Sequence, residues 1–191
     1  MHSLDKLFIH LLPGGVMPER KTDGAIGYDV AIRAVLSPTE MDEEKPYLRK
    51  CLFDFRTVPE DSGVGAHVHH LGDELVYRMS PGESVLVGIG FITAMPHGIF
   101  YWTAPRSGLS SKHGITITNA PGTVDPDYRG EAGVLVYNRN QFTFDLRQGM
   151  RIAQIIFQEA LFPYLNITES YEELPKTIRG SGGFGSTGLK S

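Results

Sequence analysis

The chain has 191 residues, 41% of them apolar, which is enough for one domain with a hydrophobic core; its formal net charge of −4 leaves no electrostatic footprint for long nucleic acid. Cys51 is the only cysteine, so no disulfide can form within the chain and a reducing, cytoplasmic setting is expected. No apolar run approaches the roughly 18 residues of a membrane span, and "MHSLDKLFIHLLPGG" lacks the basic start and small-residue cleavage pattern of a secretory signal.

In chain order, short runs rich in Val, Ile, Phe and Tyr recur between turn residues: "LFIHLL", "YDVAIRA", "SVLVGIGFITA", "GIFYWTA", "GITITNA", "GVLVYN", "FTFDL" and "RIAQIIFQ". That pattern predicts an all-β domain. "GITITNAPGTVD" reads as a strand, a turn at Pro121-Gly122 and the start of a return strand. One helix is expected over "SPTEMDEEKPYLRK", from its Ser/Thr cap followed by acids. Residues from about Ser37 to Ser80 read as charged and irregular, and the chain turns Gly/Ser-rich from Lys176 onward.

Four stretches carry candidate chemistry. In "RGSGGFGSTG" (Arg179 to Gly188) the glycine N–H groups can converge on phosphate oxygens. Arg179 adds a charged fork, Ser186 and Thr187 add hydroxyls, and Phe184 offers a face for a base. The alternative is a plain flexible linker. In "APRSGLSSKHG", Arg106, Ser107 and Gly108 at a strand end suit a phosphate, although taken alone a plain turn is the favoured reading. In "TNAPGTVDPDYRGE", Asp125 can act as a general base for water or merely cap the turn beside Pro126; Tyr128 can be core or pack on a sugar. Asp29 in "DGAIGYDV" is the fourth. An acid near phosphates implies a divalent cation, and Mg²⁺ suits oxygen ligands and retained water.

Taken in order, "GAIGYDV", "PRSGLSSKHG", "NAPGTVDPDYRGE", "RIAQIIF" and "RGSGGFGSTG" resemble the five motifs of the homotrimeric dUTPase family. The resemblance covers most of the chain outside residues 37–80. It implies a single jelly-roll-like (β-clip) domain over 1–191, with an inserted segment at about 37–80 and a C-terminal arm or lid at 176–191. It further implies a homotrimer whose active sites are shared between subunits. The implied reaction splits dUTP to dUMP and pyrophosphate, which keeps uracil out of DNA and supplies dUMP for thymidylate synthesis. Asp125 matches the aspartate that activates water for attack on the α-phosphorus, and Asp29 the one that holds Mg²⁺ through water. Arg106, Ser107, Gly108 and Gln154 match phosphate contacts. Asn119, Gly122 and Thr123 match the hairpin that reads uracil, and Tyr128 the ring that packs under the deoxyribose and excludes a 2′-hydroxyl. Arg179, Phe184, Gly185, Ser186 and Thr187 match the arm, with Phe184 over the uracil and the others on the γ-phosphate.

Small departures include Ile26, Val30 and Ser110, and a second carboxylate, Asp127, which Arg129 is expected to offset. Two rivals share the fold. The dCTP deaminase family has a catalytic glutamate on the strand after the third motif, where this chain has Leu135, which cannot shuttle a proton. A regulatory protein of this fold would bind a partner through residues 37–80. There His67, His69 and His70, with Asp73 or Glu74, can be drawn as a transition-metal site, although a surface hairpin with incidental histidines is the preferred reading.

Overall fold

The computed structural model describes residues 6–57 and 64–182. The chain divides into two compact units, Met1–Ala160 and Leu161–Ser191. The first contains β1 (Phe8–Leu11), β2 (Tyr28–Ala31), β3 (Ala34–Met41), β4 (Arg49–Asp54), β5 (Val68–Leu71), β6 (Glu74–Met79), β7 (Ser84–Gly88), β8 (Phe91–Ala94), β9 (Ile99–Pro105), α1 (Ser107–His113), β10 (Ile115–Ile117), β11 (Gly122–Val124), β12 (Gly133–Asn138), β13 (Phe144–Arg147) and β14 (Arg151–Glu159). Every pairing is antiparallel. The sheets run β10-β12-β7-β3-β4, β11-β9-β14-β2, β13-β6-β5 and β1-β8.

The alternation read from the sequence is what builds the core. In β12, Val134, Val136 and Asn138 are buried while Gly133, Leu135 and Tyr137 face outward. In β9, Tyr101 and Thr103 point in and Trp102 out. Period-two burial of this kind fixes register, because a slip of one residue would turn the apolar set to water. Burial pushes the Tyr101 hydroxyl's pKa up to about 12.

Residues 37–80 depart from the expectation of a charged, irregular stretch. The proposed helix over "SPTEMDEEKPYLRK" is instead the end of β3, a turn, and the start of β4. The turn forms because Asp42 Oδ1 accepts from the backbone N–H groups of Glu44 and Lys45 at 3.1 and 2.8 Å, a local bond that competes with a helix. β3 pairs with β7, and β6 pairs with β13, so the segment is woven into two sheets. Phe53, Phe55, Val76, Tyr77 and Met79 are buried core residues. The second half of the "GITITNAPGTVD" reading also changes: β10 pairs with β12 and β11 with β9, so the two strands do not form one hairpin.

The histidines sit on the β5–β6 hairpin, whose turn is made at Gly72 with φ +63. His67 stacks on Tyr77 with ring centroids 4.9 Å apart, and its Nδ1 lies 3.1 Å from the Arg78 carbonyl. Among the described residues no group of three or more His, Cys, Asp or Glu is placed to hold a metal ion.

In the second unit, the described residues contain one 3-10 turn, Tyr171–Glu173. Leu161, Tyr164, Leu165, Ile167 and Ile178 are exposed. Arg179 Nε donates to the Gly182 carbonyl at 2.8 Å. Phe184, Gly185, Ser186 and Thr187 lie outside the described residues.

Candidate active site

Three of the expected phosphate-handling residues come together through strand register. β14 lies between β2 and β9, and its Gln154 pairs with Asp29 on one side and Ala104 on the other. Arg106 follows the end of β9 and opens α1, so its side chain turns back across the same edge. Arg106 Nε donates to Asp29 Oδ1 at 3.1 Å, and Arg151 Nη1 donates to Asp29 Oδ2 at 2.9 Å. Arg106 Nη1 also donates to the Arg151 carbonyl at 2.9 Å, and Gln154 Nε2 to the Pro105 carbonyl at 3.1 Å. Gly27 packs against the Gln154 side chain, and a Cβ there would make the amide oxygen swing away. A cavity of about 550 Å³ opens over this corner, lined by Lys21, Gly27, Asp29, Arg106, Arg151 and Gln154. Lys21, Arg106 and Arg151 stand around this cavity with Asp29, and Lys21 is itself paired with Glu19, so a small cationic surplus remains that suits an anion.

Arg151 had no role in the sequence reading. Its spacing from Gln154 alone does not put both on Asp29, because the β14–β2 register shifts between Arg151 and Ala153. α1 was also not foreseen, although Gly114 in a left-handed conformation with Lys112 and His113 in the last turn is an ordinary helix ending. Ser107 and Gly108 form its first turn and are exposed.

The other expected residues gather elsewhere. Gly122 packs so closely that a Cβ would stand 3.0 Å from Asn119 Nδ2 and 2.5 Å from Thr103 Oγ1. Asp125, just beyond β11, is exposed, and among the described residues its carboxylate receives no hydrogen bond. Its backbone carbonyl accepts from Tyr128 N at 3.2 Å, which closes the turn. Tyr128 folds back over Gly130 and donates its hydroxyl to the Glu131 carbonyl at 3.2 Å. Arg129 donates to the carbonyls of Pro126 and Tyr128 at 2.7 and 3.1 Å. A cavity of about 300 Å³ is lined by Arg49, Thr123, Asp125, Tyr128, Glu131 and Leu135, among others. Arg49 comes from the 37–80 segment. Glu131 is no free acid: Arg33 grips it at 2.8 and 2.6 Å.

Within one chain the two groups stay apart. Val124 pairs with Tyr101, five residues before Arg106 and so about 17 Å along the strand, which leaves Asp125 well away from Asp29 and Arg106.

A family model described as dUTPase matches residues 64–188. The chain is 36% identical over 181 residues to the deoxyuridine 5'-triphosphate nucleotidohydrolase of Heliobacterium modesticaldum, covering 95% of this chain and 94% of that protein. It is 44% identical over 130 residues to the same-named protein of Roseobacter denitrificans, covering 68% of this chain and 84% of that one. Among solved structures it is similar to the dUTPase of Staphylococcus bacteriophage 80alpha with dUpNHpp, at a TM-score of 0.67 and 20% identity, covering 97% of this chain and 99% of that one. A dUTPase from phage phi11 of S. aureus, whose structure is described as revealing coordination of a structural Mg(II) ion, aligns at a TM-score of 0.60 and 18% identity over 88% of this chain and 100% of that one. The chain belongs to the dUTPase family, and its fold is the all-β dUTPase fold.

Proposed function

We propose that this chain hydrolyses dUTP to dUMP and pyrophosphate, with Asp125 as the base that takes a proton from water as the water attacks the α-phosphorus. The observation that carries the reading is that Asp125 and Tyr128 share a cavity with Leu135. An exposed carboxylate, a sugar-sized aromatic face and an aliphatic wall suit hydrolysis; deamination needs a proton shuttle where Leu135 stands. Asn119, Gly122 and Thr123 read the uracil, and the Tyr128 ring leaves no room for a 2′-hydroxyl.

Arg106, Ser107, Gly108 and Gln154 hold the phosphates; of the arm, Phe184 covers the uracil and Arg179, Gly185, Ser186 and Thr187 grip the γ-phosphate. The family reading calls for Mg²⁺, and Asp29 fits as its partner through water: each of its oxygens accepts one guanidinium bond and keeps a free lone pair. When bound, the ion neutralises charge on the phosphates, which is the main demand of phosphoryl transfer. Asp29 orients it, and the two arginines orient Asp29.

Since Asp125 stands about 17 Å from Arg106 along β9, and a base must reach its water within about 3 Å, the working site is assembled between copies, which the family reading makes a homotrimer. The single domain with its inserted segment and C-terminal arm is one functional piece on this reading. Cytoplasmic placement fits the lone Cys51, and no helix among the described residues is long and apolar enough to cross a membrane.

The test is pyrophosphate release from dUTP, dCTP, dTTP and UTP with Mg²⁺. Release from dUTP alone supports the reading. Turnover of dCTP to a deaminated product, or no release from any of the four, would sink it.

A further inference from the structure

One buried charged pair is used by no step above. Arg33 stands between β2 and β3, four residues after Asp29, and Glu131 just before β12. Arg33 Nε donates to Glu131 Oε1 at 2.8 Å and Arg33 Nη2 to Oε2 at 2.6 Å, a bidentate fork between residues 98 apart in sequence. Their side chains are 10% and 1% exposed. Glu131 Oε1 accepts a third bond, from Gly90 N at 2.8 Å.

The surroundings leave this carboxylate nowhere to go. A Cβ at Gly88 would collide with it, and Gly90 adopts φ +79 with Gly15 packed against its Cα. Arg33 is itself anchored, its backbone N–H donating to the Gly88 carbonyl at 2.9 Å. Burial works against the Arg33 charge, but the hydrogen bonds and charge of Glu131 outweigh it and raise the guanidinium's pKa above its ordinary value. A fully bonded pair of this kind is weak evidence for stability, since apolar groups of equal volume often serve as well. A fixed position is what it does provide.

That position matters because of the other end of Glu131. Its backbone carbonyl is the acceptor for the Tyr128 hydroxyl at 3.2 Å. Glu131 and Tyr128 both line the cavity beside Asp125, and Arg33 does not. We propose that Arg33 is a positioning residue for the nucleoside pocket: by locking Glu131 it fixes the carbonyl on which Tyr128 rests, and so sets how strictly the pocket rejects a 2′-hydroxyl. The inference rests on the dUTP-hydrolysing reading. Its physical content is clearance. A tyrosine ring displaced by a fraction of an ångström opens space on one side of the sugar, and an ångström of misplacement costs about 10²-fold in reactions that depend on alignment.

The test compares kcat/KM for dUTP and UTP, with thermal midpoints, in the full chain. The variants are Arg33→Lys, the neutral pair Arg33→Met with Glu131→Gln, Tyr128→Phe, and Arg33→Lys combined with Tyr128→Phe. The Met/Gln pair keeps an acceptor for Gly90 N and leaves no lone buried charge, so it folds even if Arg33→Lys does not. The expected result is a dUTP/UTP ratio lower by about tenfold or more in the Arg33 variants, mainly through a gain in kcat/KM for UTP. The combined variant should fall no further than the worse single one, because residues acting through one contact are not additive. A ratio unchanged in either folded Arg33 variant, with only the midpoint lowered, makes the pair purely structural and overturns the inference. So does an additive combined effect. Failure of the wild-type chain to hydrolyse dUTP, or to prefer it over UTP, overturns instead the function on which the inference rests.

Discussion

Asp29 and Asp125 are both carboxylates placed by short strands, yet their surroundings are opposite. Asp29 is half-buried, with a guanidinium on each oxygen. Asp125 is exposed and receives no hydrogen bond among the described residues. A carboxylate whose oxygens are already engaged is suited to holding charge in place. One whose lone pairs are open can accept a proton from water. The Asp29 corner is therefore held within one chain, while the Asp125 carboxylate is left open.

The sharpest way to break that contrast is to remove each carboxylate's charge in turn. Asp125→Asn should lower kcat by about 10²–10⁴-fold with KM for dUTP little changed, since only the base is lost. Asp29→Asn should act mainly on KM and on the Mg²⁺ concentration needed for half-maximal rate, by roughly tenfold. Steady-state pyrophosphate release over a Mg²⁺ series separates the two. If Asp29→Asn instead depresses kcat as far as Asp125→Asn at saturating Mg²⁺, the division of labour is wrong.

Next in size is a core change behind the hairpin half. Phe53 is 1% exposed, lies on β4 with Arg49, and packs 4.7 Å from Phe55 and 6.5 Å from Tyr77 between ring centroids. Phe53→Ala should cost about 3–5 kcal/mol of unfolding free energy, measured by denaturant titration. Loss of under about 1 kcal/mol would mean that residues 37–80 are a separable insert after all. The same burial means that trimming residues 40–78 cannot serve as a clean test of partner binding, because the cut removes core.

The sequence carries the all-β class and most of the site because both rest on local signals: alternation, turn residues, and motifs contiguous in the chain. Gln154 and Asp29 are each legible in this way. What joins them is the β14–β2 register with its shift beside Arg151, and register depends on partners far away in sequence. For that reason Arg151 was missed, and the Arg33–Glu131 pair with it, since nothing near either residue names the other. The 37–80 segment misled for a different reason. Its buried residues come as short pairs, Phe53 with Phe55 and Tyr77 with Met79, too brief to stand out as strands among the charged residues around them.

A smaller effect concerns what lies behind the phosphate half. On its far side, a second cavity shares Arg106 and Arg151 and is also lined by Asp145. Asp145 accepts from Arg78 Nε and Nη2 at 2.7 and 2.9 Å across the β13–β6 ladder, and that hydrogen bonding, opposed by burial, holds its pKa below the ordinary carboxylate value. Asp54 is lowered in the same way by Arg56. A depressed carboxylate adds stability that is fully present above its unfolded pKa, near 3.9 for Asp, and that is lost as pH falls through the lower folded value. The acid limb of a thermal-midpoint profile should therefore steepen below about pH 4 in the wild-type chain. Asp145→Asn should flatten part of that limb while lowering the midpoint at pH 7 only slightly, because the pair is partly solvated and such pairs are weak. An acid limb identical in the two proteins would mean that the Arg78–Asp145 ladder pair does not stiffen the floor beneath Arg106, and that the phosphate corner owes its order to Asp29 alone.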